Sequence, residues 1–134
     1  MSERVFFDTT ILLYTIAKGD ARTEIAERLV VAGGVISVQV LNEFVAVARR
    51  KLRMPWEDLS ETLDAIRVLC ETPLPMTVEV HERGLSIASR YGFQIYDALI
   101  VAAALSASCR VLYSEDMQNG QRFDSLVIRN PFVA

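Results

Sequence analysis

The polarity pattern opens on a short apolar run, RVFF (4–7), that ends on Asp8 and resumes after Thr9 and Thr10 as ILLY. That reads as a buried strand followed by a helix beginning near Ile11, with the Thr9-Thr10 pair able to cap it. Asp20 caps a second helix, ARTEIAERLVVA, closed by Gly33-Gly34. VISV (35–38) is apolar and rich in β-branched residues, as a strand buried on both faces would be. VLNEFVAVARRKLR follows with helical spacing and carries Glu43 near its start. Pro55 then opens the helix WEDLSETLDAIRVLCE, since proline costs little at a helix start. Two prolines restrict TPLPMT (72–77) to a short edge strand. VEVHERGLSIASRYG reads as a helix stopped by Gly92. In QIYDALIVAAAL (94–105) the helix is apolar all round, hence buried on every side, yet Asp97 stands at its head. VLY (111–113) is a further buried strand, SEDMQNG a loop with an Asn-Gly turn, and LVIRN a last strand.

Strands alternating with helices predict an α/β fold, a parallel sheet covered on both faces. Ligands of such sheets sit beyond the carboxyl ends of the strands. Asp8 follows the first strand directly, Glu43 lies in the first turns after the second, and Asp116 comes three residues after VLY. Asp97 joins them if its helix starts at the same edge.

Length and composition narrow the class. A chain of 134 residues, half of them apolar, suits one domain, 1–134, with a sizeable core. The longest apolar run is far short of the roughly 20 residues that span a bilayer. Asp8 interrupts the N-terminal apolar stretch, which is unlike a secretory signal. Cys70 and Cys109 sit in apolar contexts without metal-ligand spacing, as reduced structural cysteines of a cytoplasmic protein would. The formal charge of −3 argues against a generic nucleic-acid coat, though carboxylates gathered around cations would change that balance.

Each acid has an ordinary alternative. Asp8 and Asp97 suit helix N-caps, Glu43 a solvated helix face and Asp116 a turn. Together, four carboxylates at one sheet edge repel one another unless a cation is present. They suit a hard cation such as Mg²⁺ or Mn²⁺, and through it phosphodiester hydrolysis, which needs no covalent nucleophile. His81, the single histidine, lies among Glu79 and Glu82 as a surface residue.

FFDTTILLY, ISVQVLNEFVAV, YDALIVAAAL, VLYSEDMQNG and IRNPF occur in this order over nearly the full length. In these pieces the chain resembles the PIN-domain ribonucleases, and within them the VapC-like toxins of bacterial toxin–antitoxin pairs. The resemblance implies a three-layer sandwich with sheet order 3-2-1-4-5 and an Mg²⁺-dependent endoribonuclease, with Mn²⁺ able to substitute. It makes Asp8, Glu43, Asp97 and Asp116 the catalytic, metal-holding acids, supported by Thr9, Thr10 and Ser114. Glu115 is not carried over and reads as exposed. The resemblance further implies an RNA substrate, a homodimer, and a small antitoxin that covers the active-site groove and provides any link to DNA. The apolar faces of residues 11–16 and 25–31 are candidates for that groove.

Arg49, Arg50, Lys51 and Arg53 form the densest basic group, suited either to a helix C-terminus or to RNA phosphates. Trp56 reads as core packing, with a dimer or antitoxin contact as the alternative. Three other classes remain to be weighed. A haloacid-dehalogenase-type phosphatase needs an acid two residues after the first Asp, where Thr10 stands. A receiver module needs an acidic pair near the first strand, which is absent. A PIN fold that only binds RNA or a partner, without nuclease activity, should have lost one or more of the four acids.

Overall fold

The computed structural model describes residues 3–133. The elements are β1 (Val5–Phe7), α1 (Thr9–Tyr14), α2 (Arg22–Val31), α3 (Val38–Arg50), α4 (Trp56–Leu69), α5 (Val78–Tyr91), α6 (Ile95–Ser106), β2 (Val111–Tyr113), β3 (Arg122–Phe123) and β4 (Leu126–Arg129). The sheet runs β1-β2-β4-β3. β1 pairs parallel with β2 and β2 parallel with β4, while β3 folds back antiparallel on β4. Consecutive residues of a strand point to opposite faces. Phe6 and Phe7 are both fully buried, as are Val111 and Leu112, so both faces of the sheet are covered.

The expected order survives in reduced form. Val35 forms a parallel bridge to Phe6, and Leu74 one to Ser37, so VISV and TPLPMT do lie beyond β1 in that order. Each contributes an isolated bridge rather than a strand. The reason is local: the Ser37 side chain accepts from the Val40 backbone amide, so the chain has turned into α3 before a longer ladder can form. Pro73 and Pro75 flank Leu74 and remove the donors a ladder would need. The antiparallel β3 was not anticipated; residues 122–123 carry too short a run to register as a strand.

Helix boundaries follow side-chain chemistry. α5 ends where Gly92 adopts φ 73°, a left-handed conformation that glycine takes without a Cβ penalty. In α6 the residues Ala98 to Ala104 are all buried, as an apolar-all-round helix requires. One apolar core joins residues from β1, β2, β4 and all six helices. Cys70 and Cys109 are free and buried, and burial pushes both thiols up to about 11, where they are inert at neutral pH. His81 is exposed. No helix among the described residues is long and apolar enough to cross a membrane.

Candidate active site

The site grows out of the carboxyl ends of β1 and β2. Asp8, the residue after β1, caps α1: its Oδ1 accepts from the Thr9 backbone amide at 2.7 Å. The helix therefore begins at Thr9, and the capping role expected of the threonines falls to Asp8. Its other oxygen, Oδ2, accepts from the Ser114 hydroxyl at 2.7 Å and from the Thr10 hydroxyl at 3.4 Å. Ser114 is fully buried and follows β2 directly, so two adjacent parallel strands bring the two side chains together. Capping and site membership are thus the same geometry rather than rival accounts of Asp8.

Glu43 lies in the second turn of α3. Its Oε1 accepts from the Thr9 hydroxyl at 3.2 Å and its Oε2 from the Gln39 amide at 2.7 Å. Asp97 lies in the first turn of α6 but is not its cap; Gln94 caps the helix through the Tyr96 backbone amide. Asp116 is exposed at the mouth of the site.

Asp8 is 4% exposed, and its carboxyl is pushed up to about 7. Burial is the main cause; the bonds from Ser114 and Thr9 oppose it, and the charges of Asp97 and Glu43 add to it. Asp97 is also raised, first by burial, with the Gln94 side chain opposing and the charge of Asp116 adding. The four acids named from sequence therefore form one electrostatic chain, from Glu43 through Asp8 and Asp97 to Asp116. Among the described residues, however, no three acidic, histidine or cysteine side chains form a ready-made metal cage. Glu43 is turned toward Thr9 and Gln39, so a cation would have to draw the acids together from these positions. The donor set itself, all carboxylate and hydroxyl oxygen, fits a hard divalent cation.

Beside the acids runs a groove of about 440 Å³, lined among others by Thr10, Leu13, Tyr14, Lys51 and Asp116. Glu115 lines it too and is not the exposed acid expected from sequence. It is half-buried, accepting from the Tyr14 hydroxyl and pairing with Arg22 at 2.9 Å. Arg22 stacks over the Tyr14 ring and also pairs with Asp20 at 2.9 Å. Glu115 is thereby paired at the rim, sharing Arg22 with Asp20. No sequence spacing signals this, because Arg22 and Glu115 are 93 positions apart. Gln39, left outside the helix by the sequence reading, falls within α3 and becomes the i, i+4 neighbour of Glu43.

Of the basic group, Arg50, Lys51 and Arg53 are exposed. Arg49 donates to the Met54 carbonyl at 2.8 Å and stacks on Trp56. Trp56 itself is 63% exposed, so its expected place in the core is not found.

A parallel α/β sheet with buried and rim carboxylates at its carboxyl edge defines the class of molecule. The PIN-domain family model matches residues 5–122, and the chain belongs to the PIN-domain family. A comparison with curated protein sequences finds no match. Among solved structures the fold is similar to VapC20 of Mycobacterium tuberculosis, described as a sarcin-ricin-loop-cleaving toxin, at 22% identity and TM-score 0.67, covering 84% of this chain and 89% of that one. It is similar to a toxin–antitoxin complex from Klebsiella pneumoniae at 19% identity and TM-score 0.71, covering 96% and 98%. It is also similar to VapBC2 from Rickettsia felis bound to a promoter DNA fragment, at 19% identity and TM-score 0.68, covering 94% and 97%.

Proposed function

We propose that this PIN-domain chain, acting as one domain in the cytoplasm, is a divalent-cation-dependent endoribonuclease and the toxin of a toxin–antitoxin pair. The observation that carries the reading is the buried Asp8 carboxylate, disfavoured by its surroundings and further opposed by Asp97 and Glu43. A carboxylate so placed is stabilised by a cation more readily than by anything else at that edge. Asp8, Glu43, Asp97 and Asp116 would hold Mg²⁺ or Mn²⁺. Such an ion, when bound, polarises a phosphoryl oxygen and makes a neighbouring water more acidic. The chain's own part is positioning. Ser114, Thr9 and Thr10 fix both oxygens of Asp8, while Gln39 and Thr9 fix Glu43. The groove beside Asp116 admits the RNA strand, and Arg50, Lys51 and Arg53 supply cations for its phosphates.

The antitoxin is supported by the toxin–antitoxin complexes among the structural neighbours, while the homodimer rests on the resemblance in sequence alone. Of the two faces expected to build the antitoxin-covered active-site groove, 11–16 lines it through Leu13 and Tyr14, whereas Val30 and Val31 line a second groove of about 210 Å³ with Ile16, Ile66 and Leu69. The alternative, a PIN fold that binds RNA or a partner without cutting, should have lost one or more of the four acids, and all four are present.

Cleavage decides between them. Purified protein is expected to cut single-stranded RNA internally with Mg²⁺ or Mn²⁺ and to stop in excess EDTA, while Asp97→Asn protein prepared in parallel does not cut. Cleavage that persists in EDTA, or that the Asp97→Asn preparation shares, would remove the reading. RNA binding should also respond to the basic group. Replacing Arg50 and Lys51 by Gln is expected to make the slope of log affinity against log salt shallower by about 1.4, roughly 0.7 per phosphate contact on single strands. Thermal stability should stay put, since exposed charges contribute little. An unchanged slope would return both residues to the role of solvated helix-end charges.

A further inference from the structure

Trp56, the single tryptophan, is the first residue of α4 and is 63% exposed, an unusual position for so large an apolar ring. It is not loosely held. The guanidinium carbon of Arg49 lies 4.3 Å from the ring centroid, and that guanidinium is anchored in turn to the Met54 carbonyl. One face of the indole is thus backed by a fixed cation, and the exposure belongs to the remaining face and edge. Arg50, Lys51 and Arg53 stand exposed at the end of α3 and in its connection to α4, whereas Glu57 and Asp58 occupy the first turn of α4, where acids suit the helix N-terminus. The four cations outnumber these two acids in a chain whose overall charge is −3.

The platform and the candidate active site lie on opposite flanks of α3, since Arg49 is two positions, about 200° round the helix, from both Val47 and Lys51; a strand joining them crosses the helix end at the exposed Arg50. Glu43, Val47 and Lys51 recur every fourth position along α3 and its end, hence on one stripe of the helix. Val47, Lys51 and Leu52 line the groove that reaches Thr10 and Asp116. Eight residues at 1.5 Å each set Lys51 about 12 Å from Glu43 along the helix axis, a few nucleotides from the acids.

We propose that Trp56, backed by Arg49, is a stacking platform for an unpaired base of single-stranded RNA, a few nucleotides from the bond facing the acids. The inference rests on the nuclease reading for its direction along the strand, but base stacking itself does not require cleavage. A ring backed by a cation and open on its other face is the arrangement by which proteins hold single strands without sequence preference. Arg49 then serves the RNA through Trp56 rather than as a direct phosphate contact, which separates it from Arg50, Lys51 and Arg53.

Because the chain has one tryptophan, its emission reports on this position alone. Titration of wild-type protein with a 12-nucleotide oligouridylate in EDTA is expected to quench that emission saturably. Anisotropy of the same oligonucleotide carrying a 5′ fluorophore should show Trp56→Ala binding about tenfold more weakly and Trp56→Phe retaining much of the affinity. All three proteins should melt alike, because the side chain is exposed. Unquenched emission at saturating RNA, or equal affinities of wild type and Trp56→Ala, would overturn the proposal. So would loss of self-association by Trp56→Ala at unchanged RNA affinity, which would make the ring a contact between copies of the chain. Quenching without cation-dependent cleavage would leave the platform standing while removing the nuclease reading; cleavage without a Trp56 effect would do the reverse.

Discussion

Asp8→Asn is expected to abolish RNA cleavage while making the cation-free protein more stable at neutral pH. The first effect follows from losing a carboxylate at the centre of the acid chain. The second follows from linkage. The Asp8 carboxyl is raised from 3.8 to about 7 in the folded state, so between those values the folded chain holds a proton that the unfolded chain releases. Stability contributed by this group is therefore complete below about pH 4, is lost as pH rises toward 7, and does not return above it. Asparagine has no charge to bury. Its gain should be near zero at pH 4 and on the order of 2 kcal/mol at pH 8, less than the whole shift because an amide cannot accept from all the donors that Asp8 satisfies. Wild type should gain melting temperature with Mg²⁺, which binds the folded state, and the variant should gain much less. Calorimetric melts of both proteins at pH 4, 6 and 8, with and without Mg²⁺, test the account. Equal Mg²⁺ responses, or a stability difference that ignores pH, would leave Asp8 as a helix cap and nothing more.

Ser114→Ala is expected to lower cleavage at pH 7 by about 10–100-fold, the usual cost of removing a partner that orients a ligand. Ser114 is fully buried, donates to Asp8 Oδ2 at 2.7 Å and accepts from the Met117 amide at 3.3 Å. Its bond to Asp8 favours the ionised carboxylate. Without it the Asp8 carboxyl rises further, and less of it is ionised at neutral pH. The acid limb of the pH–rate profile should then move to higher pH, so that the deficit shrinks between pH 7 and 9. A deficit of constant size across that range, with the limb in place, would mean that Ser114 acts on structure alone. The Met117 amide also loses its partner, so a modest fall in melting temperature accompanies either outcome.

The elements that were legible in the sequence are those whose signal is local. VFF and VLY are short apolar runs flanked by polar or turn residues, and α6 is apolar on every side, so burial alone dictates their form. The approach of Asp8 and Asp116 to one edge was legible too, because parallel strands carry their following residues there whatever their side chains are; Asp97 depended on where α6 begins. VISV misled in extent: its composition says strand, but Ser37 is also a good helix cap, and the cap prevailed after two isolated bridges, one to each side. Trp56 misled in place. Hydrophobicity favours the core, yet α4 begins at Trp56 with Pro55 as its N-cap, and in that register it is Leu59 and Ile66 that point inward.

The sequence by itself determined the alternation of strands and helices, the edge where the acids gather and the oxygen-only donor set. Each follows from periodicities and residue chemistries spanning a few positions. Only the tertiary structure decided how those acids are held. Ser114 reaches Asp8 across 106 positions and Glu115 reaches Arg22 across 93, so no local pattern records either contact. The depth of burial at Asp8 is likewise a property of packing. Desolvation, the largest influence on its carboxyl, exists only in the folded chain.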